Sequence, residues 1–412
     1  MKIQRTIPPA AAPVDLMSIL HGIAGFFMGK RYIKKVESEI KSYFGVNHVF
    51  LVSSGKAALT LILQALKFLS PDKREVLIPA YTCFSVPSAI VRAGLKVSLC
   101  DIDPTTLDFD YKLLSSSINE KTLCVIPSHL FGIPSKIDKI ISIVREQNIF
   151  VVEDAAQAMG GISKGRKLGT LGDVGFFSLG RGKNITCGSG GIIVTNSNQI
   201  ALAISKQYSN IQYPSTIESF NNFLKIMLMA IFIHPSLYWF PSGLPFLRLG
   251  ETIFYKDFPI KRFFGMRAGL LNGWQRKLEE SNKIRREHSE YFDERLRLRL
   301  RLSNGNSTPF LRLPFTTESR EVKKKIYSFS QKRGLGISLM YPTAINEIEE
   351  IKATFNGKSF PSAERIAETL LTIPTHQFLS EKDKEKICIY LTVAVKTSTF
   401  NSHSQKADDW SV

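Results

Sequence analysis

Two neighbouring acids and one lysine carry the strongest chemical signal in this sequence. Glu153 and Asp154 end the stretch "IFVVED", directly after a run of apolar residues, and Lys183 follows in "GFFSLGRGKN". Glycines and small polar residues frame Lys183, whereas most lysines lie on charged, solvated faces. A lysine in such a setting is suited to act as a nucleophile. Because successive residues of a strand point to opposite faces, Glu153 and Asp154 are expected to face different surroundings.

The sequence "VSSGKAAL" predicts a turn between a strand and a helix, with Gly55, Lys56 and Ala57 at the start of the helix. Free N–H groups, a serine hydroxyl and a lysine at such a turn make a suitable phosphate site. The alternative interpretation is that the Ser-Gly pair only caps the helix. Phosphate-loop and dinucleotide-binding motifs do not fit, because Phe50 and Phe177 stand where the first requires glycine and no G-x-G-x-x-G follows a first strand.

These groups need a fold that brings the ends of distant strands together. From Asn47 to Val194, apolar strand-like runs such as "HVFLV", "EVLIP", "KVSLC" and "IFVVED" alternate with helical runs. Such alternation predicts a mostly parallel sheet covered by helices. Functional groups gather at the carboxyl ends of the strands in sheets of this type. Asp154, the turn at Gly55 and Ser178, which ends a further apolar run, are therefore expected at one edge.

The C-terminal third has a different pattern. A long charged amphipathic helix is predicted from about Trp274 to Leu296. The following "RLRLRLRL" has period two, which favours a strand, with a helix end as the alternative. Two further helices are predicted over residues 359–376 and 380–391, the second with a serine at its capping position. The polar residues after about Ser398 are expected to be disordered.

Composition limits the class of partner without selecting one. The 412 residues carry a formal net charge of +18, which suits nucleic acid, an acidic membrane surface or small phosphorylated molecules. No nucleic-acid-binding motif is present, so no nucleic-acid partner is expected. The five cysteines are scattered and show no metal-ligand spacing, which predicts no metal site and a reducing, cytoplasmic location.

Two apolar stretches raise the question of a membrane. Residues 16–29 have the length of a signal-peptide core, but an acid and prolines precede them and no cleavage site follows, so export is not expected. Residues 223–247 are interrupted by Lys225, His234 and Pro235, so their apolar runs are too short to span a bilayer. They are expected to form a buried helix or a subunit contact. Peripheral contact with the inner membrane surface is the alternative, since basic residues follow closely.

The stretch from Val151 to Asn196, "VVEDAAQAMGG" through "SLGRGKNITCGSGGIIVTN", resembles the signature region of the DegT/DnrJ/EryC1/StrS family. Members of this family are sugar aminotransferases that depend on pyridoxal 5'-phosphate. The similarity extends from "GKRYIKKVESEIKSYFGVNHVFLVSSGKAAL", through "DIDPTTLDFD" and "SHLFGIPSKID", to "FPSAERIAETLLTIPTHQFLSEKDKEKI". It therefore covers most of the chain.

The resemblance implies an α/β fold of the aspartate-aminotransferase type, also called fold type I. A large cofactor-binding domain with a mostly parallel sheet is expected over residues 1–265, including an apolar insertion at about 220–264. A smaller α+β C-terminal domain is expected over residues 266–397, followed by a tail over 398–412.

By position, the resemblance also implies a role for each candidate residue. Lys183 matches the lysine that binds the cofactor aldehyde covalently and then moves a proton between substrate and cofactor. Asp154 matches the acid that pairs with the pyridinium nitrogen. Gln157 matches a contact with the cofactor ring or its phenolic oxygen. The residues that match the phosphate site are Ser178, Gly55, Lys56 and Ala57. Glu153 matches no cofactor contact and is expected to be structural.

This sequence departs from the family pattern at three places. Lys56 stands where threonine is common, so it either makes an ionic contact with the phosphate or points away. Cys83 stands where many members place an aromatic ring over the cofactor, so Tyr81 or Phe84 replaces that ring or the stacking is weaker. The segment "IKRFFG" matches the place of an asparagine that reaches a neighbouring subunit's phosphate, which leaves Lys261 or Arg262 for that role.

The function implied is transfer of an amino group from an amino acid, usually glutamate in this family, to a nucleotide-linked keto-sugar. The product would enter surface polysaccharide or glycoconjugate synthesis, and a homodimer is expected. Family members that act as dehydratases replace the lysine by histidine, and Lys183 argues against that reaction. The alternative from another class is a catalytically altered binding or assembly protein at a membrane-associated polysaccharide apparatus.

Overall fold

A seven-stranded sheet lies at the centre of the N-terminal two thirds of the chain. The computed structural model describes residues 3–296 and 308–400, with side chains to residue 394. The strands of this part are β1 (His48–Val52), β2 (Glu75–Pro79), β3 (Lys96–Cys100), β4 (Thr122–Val125), β5 (Phe150–Asp154), β6 (Ile162–Ser163), β7 (Arg166–Lys167), β8 (Val174–Ser178) and β9 (Gly191–Thr195). The sheet has the order β1-β9-β8-β5-β4-β2-β3, while β6 and β7 form a separate hairpin. Only β9 runs antiparallel to its neighbours, so the prediction of a mostly parallel α/β sheet is confirmed.

Helices cover both faces of this sheet, as expected for a parallel sheet with crossover connections. The helices of the whole described chain are α1 (Leu16–Phe27), α2 (Gly29–Phe44), α3 (Gly55–Leu69), α4 (Ser85–Arg92), α5 (Tyr111–Leu114), α6 (Ile137–Val144), α7 (Asn198–Ser209), α8 (Thr216–Phe232), α9 (Trp239–Ser242), α10 (Gly265–Leu270), α11 (Trp274–Leu296), α12 (Arg320–Arg333), α13 (Pro361–Thr369) and α14 (Glu381–Phe400). Apolar residues of α3, α4 and α7 bury one face of the sheet, and those of α2, α10 and α11 bury the other.

A small antiparallel sheet forms the centre of the C-terminal part. Its strands β10 (Arg312–Thr316), β11 (Ser338–Leu339) and β12 (Leu370–Pro374) lie in the order β10-β12-β11, with β12 paired on both sides. The long helix predicted from Trp274 to Leu296 is confirmed as α11. Ser380 caps α14 by accepting from the N–H of Asp383 at 3.2 Å, as predicted.

One secondary-structure prediction in this part is wrong. The helix predicted over residues 359–376 ends at Thr369, and the next five residues form β12. All five residues of β12 are buried, and their backbone groups pair with β10 and β11. A short apolar run cannot be assigned to helix or strand by periodicity alone, and here the sheet partners decide.

The other predictions on this part are not tested. The "RLRLRLRL" pattern falls outside the described residues after Leu296, and the predicted tail does so after Phe400. The division of the chain at residues 265 and 266 stays a prediction. None of the helices in the described part is both long enough and apolar enough to cross a membrane.

Helix α1 packs on α10 through glycines, which turns its large apolar residues outward. A Cβ atom added to Gly25 would lie 2.4 Å from the carbonyl oxygen of Gly265, so these two helix backbones approach too closely for any side chain. On the opposite side of α1, four large residues with helical spacing are exposed by 43 to 86%: Leu16, Leu20, Ile23 and Phe27. We call this set the α1 stripe. Helix α8 of the apolar insertion also exposes Phe220, Leu224, Leu228 and Ile231.

Glu153 anchors the loop between β7 and β8 to the end of β5. Its fully buried carboxylate accepts from the N–H groups of Gly169 at 2.9 Å, Gly172 at 2.6 Å and Leu171. It also accepts from His129 Nε2 at 2.9 Å. His129 Nδ1 accepts from a backbone N–H, which leaves Nε2 as the protonated nitrogen. Glu153 is thus a structural group, as the sequence suggested.

We predict that Glu153→Ala lowers the free energy of unfolding by about 3–5 kcal/mol, because it leaves three backbone N–H groups, that of Gly169 buried, and one buried imidazole N–H without an acceptor. Urea unfolding followed by circular dichroism measures this. Glu120→Ala, at an exposed glutamate, is the control and should change stability by no more than about 0.5 kcal/mol. Equal stability of the two variants would contradict the anchoring role.

Candidate functional site

Asp154 is buried at the carboxyl end of β5 and faces away from Glu153. Its carboxylate accepts from the N–H of Ala156 at 3.0 Å and from Ser128 Oγ at 3.2 Å. The chain after β4 continues beside β5, since the N–H of His129 donates to the Asp154 carbonyl, and this brings Ser128 into place. Burial raises the pKa of the Asp154 carboxyl, while the N–H of Ala156 and the charge of Lys183 act to lower it. A cationic partner would stabilise the ionised form.

Lys183 lies in the turn between β8 and β9, close enough to Asp154 for the two charges to interact. Burial lowers the pKa of the Lys183 amine, and the positive charge of Arg312 lowers it further, while Cys83 and Asp154 raise it. A lowered pKa increases the fraction of neutral, nucleophilic amine at a given pH. The structure therefore gives Lys183 the electrostatic setting of a nucleophile.

The turn that carries Lys183 is held by its neighbours on both sides. Asn184 is buried, and its side-chain amide donates to Asn282 Oδ1 of α11 at 2.9 Å. Gly182 has φ of +70°, and a Cβ atom there would lie 2.9 Å from the side chain of Ala10. The N-terminal segment therefore packs directly against this turn, and only glycine satisfies both the backbone angle and the close contact.

The start of α3 meets the end of β8 beside Lys183. A Cβ atom added to Gly55 would lie 3.0 Å from Ser178 Cβ and 3.2 Å from its hydroxyl, so the two groups are direct neighbours. Ser54 caps α3 by accepting from the N–H of Ala57 at 3.1 Å. Both the phosphate-site and the cap interpretation therefore have support here. The N–H groups of Gly55 and Lys56 have no hydrogen-bond partner among the described residues.

Lys56 points toward the apolar insertion. Its ammonium lies 4.3 Å from the ring centre of Tyr255 and 4.6 Å from that of Phe258. Burial lowers the pKa of Lys56, and Cys83 opposes this shift. The aromatic contacts hold the amine by cation–π interactions beside the start of α3.

Gln157 joins the two parts of the chain at the site. Its Nε2 donates to the Tyr341 hydroxyl at 2.8 Å, and its Oε1 accepts from the N–H of Phe131 at 3.2 Å. Tyr81 is buried against Tyr341, with its hydroxyl bound to the N–H of Tyr341 at 2.5 Å. Phe84 also stacks with Tyr341, at 6.4 Å between ring centres. Cys83 is partly exposed between these aromatic residues and the two lysines of the site.

Lys261 and Arg262 are engaged within their own chain. Lys261 pairs with Glu218 at 2.5 Å, and Arg262 donates to the carbonyls of Ile211, Tyr208 and Ser209. These contacts fix the segment beside β1, where the Val52 backbone bridges to Arg262.

Sequence reasoning missed four residues near the site. Ser128 binds Asp154, and Tyr341 binds Gln157. Arg312 begins β10, and its charge acts on Lys183 and on Tyr238, a residue of the apolar insertion. Ser128 lies in "SHLFGIPSKID" and Tyr238 in the apolar stretch over residues 223–247, but neither pattern indicates what these side chains contact. Arg312 and Tyr341 belong to the part of the chain that forms the small sheet, far along the sequence, so local spacing gave no signal.

Together these groups fit a flat cationic ring that carries a phosphate. Asp154 provides a buried negative charge, and the Gly55 turn with Ser178 provides N–H and hydroxyl donors for an anion. Lys183, five residues after Ser178 and close enough to Asp154 for their charges to interact, has an amine that can bond to an aldehyde. These are the requirements of pyridoxal 5'-phosphate.

Comparison with known proteins gives a consistent result. The chain is 36% identical to GDP-perosamine synthase of Caulobacter vibrioides over 171 residues, 42% of this chain and 46% of that protein. It is 30% identical to GDP-4-keto-6-deoxy-D-mannose 3-dehydratase of Yersinia pseudotuberculosis over 258 residues, 57% of this chain and 65% of that protein. The chain thus spans about half the length of the curated relatives it matches.

Among solved structures, PseC of Helicobacter pylori, an aminotransferase involved in the biosynthesis of pseudoaminic acid, superposes with a TM-score of 0.77. The alignment covers 95% of this chain and 100% of PseC at 17% identity, which shows that the fold is shared. This confirms the predicted fold class. The sequence profile of the DegT/DnrJ/EryC1/StrS aminotransferase family matches residues 23–219 and 261–392. The chain therefore belongs to the DegT/DnrJ/EryC1/StrS aminotransferase family.

Proposed function

We propose that this protein is a pyridoxal-phosphate-dependent aminotransferase that moves an amino group from an amino acid, with glutamate as the expected donor, to a nucleotide-linked keto-sugar. The observation that carries the proposal is the pair of Lys183 and Asp154 at one sheet edge, where burial lowers the pKa of the amine close to a buried carboxylate. The name of the perosamine synthase relative supports a nucleotide-linked sugar as substrate. We further propose that the product enters surface polysaccharide or glycoconjugate synthesis.

Asp154, Lys183 and Gln157 would each act on a different part of the cofactor or substrate. Bound pyridoxal 5'-phosphate supplies the electron sink for breaking a bond at the amino-bearing carbon. The Asp154 carboxylate would accept a hydrogen bond from the ring nitrogen and would favour the protonated form of that nitrogen. Lys183 would hold the cofactor aldehyde through Nζ. Once the amine of the donor has displaced it, the freed Nζ would take the proton from the substrate carbon and deliver it to the cofactor. Gln157, fixed by Tyr341, orients the ring.

The phosphate would be held where α3 begins and β8 ends. Ser178 would donate its hydroxyl, and the start of α3 would donate N–H groups at Gly55 and Lys56, with Ala57 closing the turn. The ammonium of Lys56 adds positive charge from its place on Tyr255 and Phe258. Tyr81 shapes the pocket by fixing Tyr341.

We predict that protein incubated with pyridoxal 5'-phosphate develops a visible absorbance band, and that glutamate bleaches it. Lys183→Ala should lose the band because the covalent bond cannot form. Asp154→Ala should bind the cofactor but slow the bleaching about 100-fold or more, because the ring loses its charge partner. Absorbance and stopped-flow spectroscopy measure both effects.

Lys112→Ala, at an exposed lysine, is the control and should behave as wild type. A visible absorbance band that survives in Lys183→Ala, or one that no amino acid bleaches, would contradict the proposed function and favour a binding or assembly role. Nucleotide-linked keto-sugars, supplied one at a time to the bleached protein, then identify the acceptor by restoring the band.

We predict a pH dependence for the Lys183 amine. Because its pKa is lowered in the fold, the neutral, reactive form should appear at lower pH in folded protein than in urea-unfolded protein. Reductive methylation with formaldehyde over a pH series, read by mass spectrometry of the Lys183 peptide, gives both midpoints. Asp154→Asn should move the folded midpoint lower still, since Asp154 raises this pKa. A pH midpoint of Lys183 methylation in folded protein at or above that in unfolded protein would contradict a lowered pKa of this amine.

We propose that two copies associate through the α1 stripe, because apolar residues at helical spacing on a surface mark a contact site. Sedimentation equilibrium should give twice the chain mass of 46.3 kDa. Phe27→Glu should weaken the dimer, while Phe68→Glu, at an exposed residue of α3, should not. A wild-type monomer that floats with anionic vesicles would instead favour the membrane-contact alternative.

A further inference from the structure

The outer side of α8 is an apolar surface that the described part of the chain leaves open to solvent. Only Ser219 and Ile226 of this helix are buried, so α8 is not the buried helix that the sequence allowed. Five large apolar residues with helical spacing are each exposed by 47 to 76%: Ile217, Phe220, Leu224, Leu228 and Ile231. We call this set the α8 face. A contiguous exposed apolar surface marks a contact site.

The inner side of α8 is fixed to the body of the protein. A Cβ atom added to Gly188 would lie 2.4 Å from Ile226, so α8 packs closely on the turn between β8 and β9 that carries Lys183. Phe223 packs edge-on against Phe26 of α1, at 5.7 Å between ring centres, and Phe26 is not part of the α1 stripe. The α8 face therefore has a fixed position relative to the candidate site and is separate from the α1 stripe.

Most of the α8 face lies outside the sequence pattern that the family shares. The family profile ends its first match at residue 219 and resumes at residue 261. Four of the five residues of the α8 face fall in this gap. The surface is therefore a feature of this chain that family membership does not imply.

The acids of this segment are paired within the chain, whereas some of its cations are not. Residues 213–262 contain five basic and three acidic residues. Each acid forms an ion pair, in the combinations Glu218–Lys261, Glu251–Arg248 and Asp257–Arg92. Lys225, beside Leu224, and Lys256 are exposed and form no ion pair within the described residues. Exposed cations thus accompany the apolar surface without acids to balance them.

We propose that the α8 face docks on a membrane surface that contains anionic lipids, an inference that goes beyond the proposed function. Apolar residues on one side of a helix, with lysines beside them, are typical of helices that lie in the membrane interface. Aromatic residues directly after α8 extend this surface, since Phe240 packs against Phe232 at 5.4 Å between ring centres and lies next to Trp239. Aromatic rings are favoured at the level of the lipid headgroups.

A second copy of this chain fits the α8 face less well than lipid does. In a two-fold contact through α8, Lys225 would meet an identical surface, and the one acid of that helix, Glu218, is already paired with Lys261. Lysine is depleted at the centre of protein interfaces, where its charge would lose water without gaining a partner. Anionic lipids offer negative headgroups for the lysines and acyl chains for the apolar residues. The charge pattern therefore favours a lipid surface.

Vesicle flotation of the full chain, incubated with pyridoxal 5'-phosphate, tests this docking. Vesicles of phosphatidylcholine with about one third phosphatidylglycerol are compared with vesicles of phosphatidylcholine alone. We expect the protein to bind the anionic vesicles at least about 10-fold more tightly, because several lysines each contribute to the attraction. Added salt should weaken this binding, since it screens exposed charges.

Matched variants locate the contact on α8. Leu224→Glu and Leu228→Glu should each weaken binding about 10-fold or more, because each loses apolar burial and adds repulsion. Leu202→Glu makes the same change at an exposed leucine of α7, on the opposite face of the sheet, and should bind as wild type. Lys225→Gln should weaken binding about fivefold, the effect of one lysine near an anionic surface. Lys112→Gln, at an exposed lysine of α5, should not change it.

Fluorescence gives a second measurement that adds no charge to the surface. Brominated lipids quench tryptophan that reaches the acyl region, and we expect them to quench the bound wild-type protein. Trp239→Phe should lose this quenching, since Trp239 adjoins the α8 face. The melting temperature and the visible absorbance band report whether each variant is folded and loaded.

Failure of wild-type protein to bind anionic vesicles overturns the inference. Binding that Leu224→Glu and Leu228→Glu leave unchanged overturns it as well, as does equal binding to both vesicle types or quenching that persists in Trp239→Phe. A lower oligomeric mass of these two leucine variants in sedimentation equilibrium, without vesicle binding by wild type, would assign the α8 face to a subunit contact instead. Bleaching of the absorbance band by amino acids tests the proposed function separately, so the two proposals can fail independently.

Discussion

The site depends on the separation of two neighbouring carboxylates at the end of β5. Glu153 accepts three backbone N–H groups and one imidazole N–H, all within the scaffold. Asp154, one residue later, points to the opposite face, toward Lys183. Glu153 anchors the end of the strand and so fixes the position of the Asp154 carboxylate. Within the described residues, Asp154 forms no salt bridge. Burial raises the pKa of the Asp154 carboxyl, so a cationic partner there would favour its ionised form.

The site is also the place where the two sheets meet. Gln157 bonds to Phe131 on the large-sheet side and to Tyr341 on the small-sheet side. A second link lies away from the site, where Asp101 after β3 accepts from the N–H groups of Ser362 and Ala363 at the start of α13. The Gln157–Tyr341 bond and the Asp101 bonds connect segments separated by more than 180 residues, so the relative position of Arg312 and Lys183 is set by tertiary structure.

The sequence predicted best those groups that share one sheet edge. Asp154, Ser178 and Gly55 follow strands of a parallel sheet, and the structure brings Gly55 and Ser178 into contact as this rule requires. The rule does not extend to the small sheet. The five-residue apolar run of β12 is too short for its periodicity to distinguish a strand from a helix, so the sequence predicts a helix there. Tyr341 and Arg312 could not be found in the same way, since nothing near them in sequence indicates which side of the site they face.

The central claim is that Lys183 is the residue that bonds to pyridoxal 5'-phosphate. Reduction of the wild-type protein with borohydride after incubation with the cofactor makes this bond permanent, and peptide mass spectrometry then locates it. We predict a single modified peptide that carries the cofactor mass on Lys183. Modification of Lys56, the other lysine beside the α3 turn, with Lys183 unmodified would contradict the account.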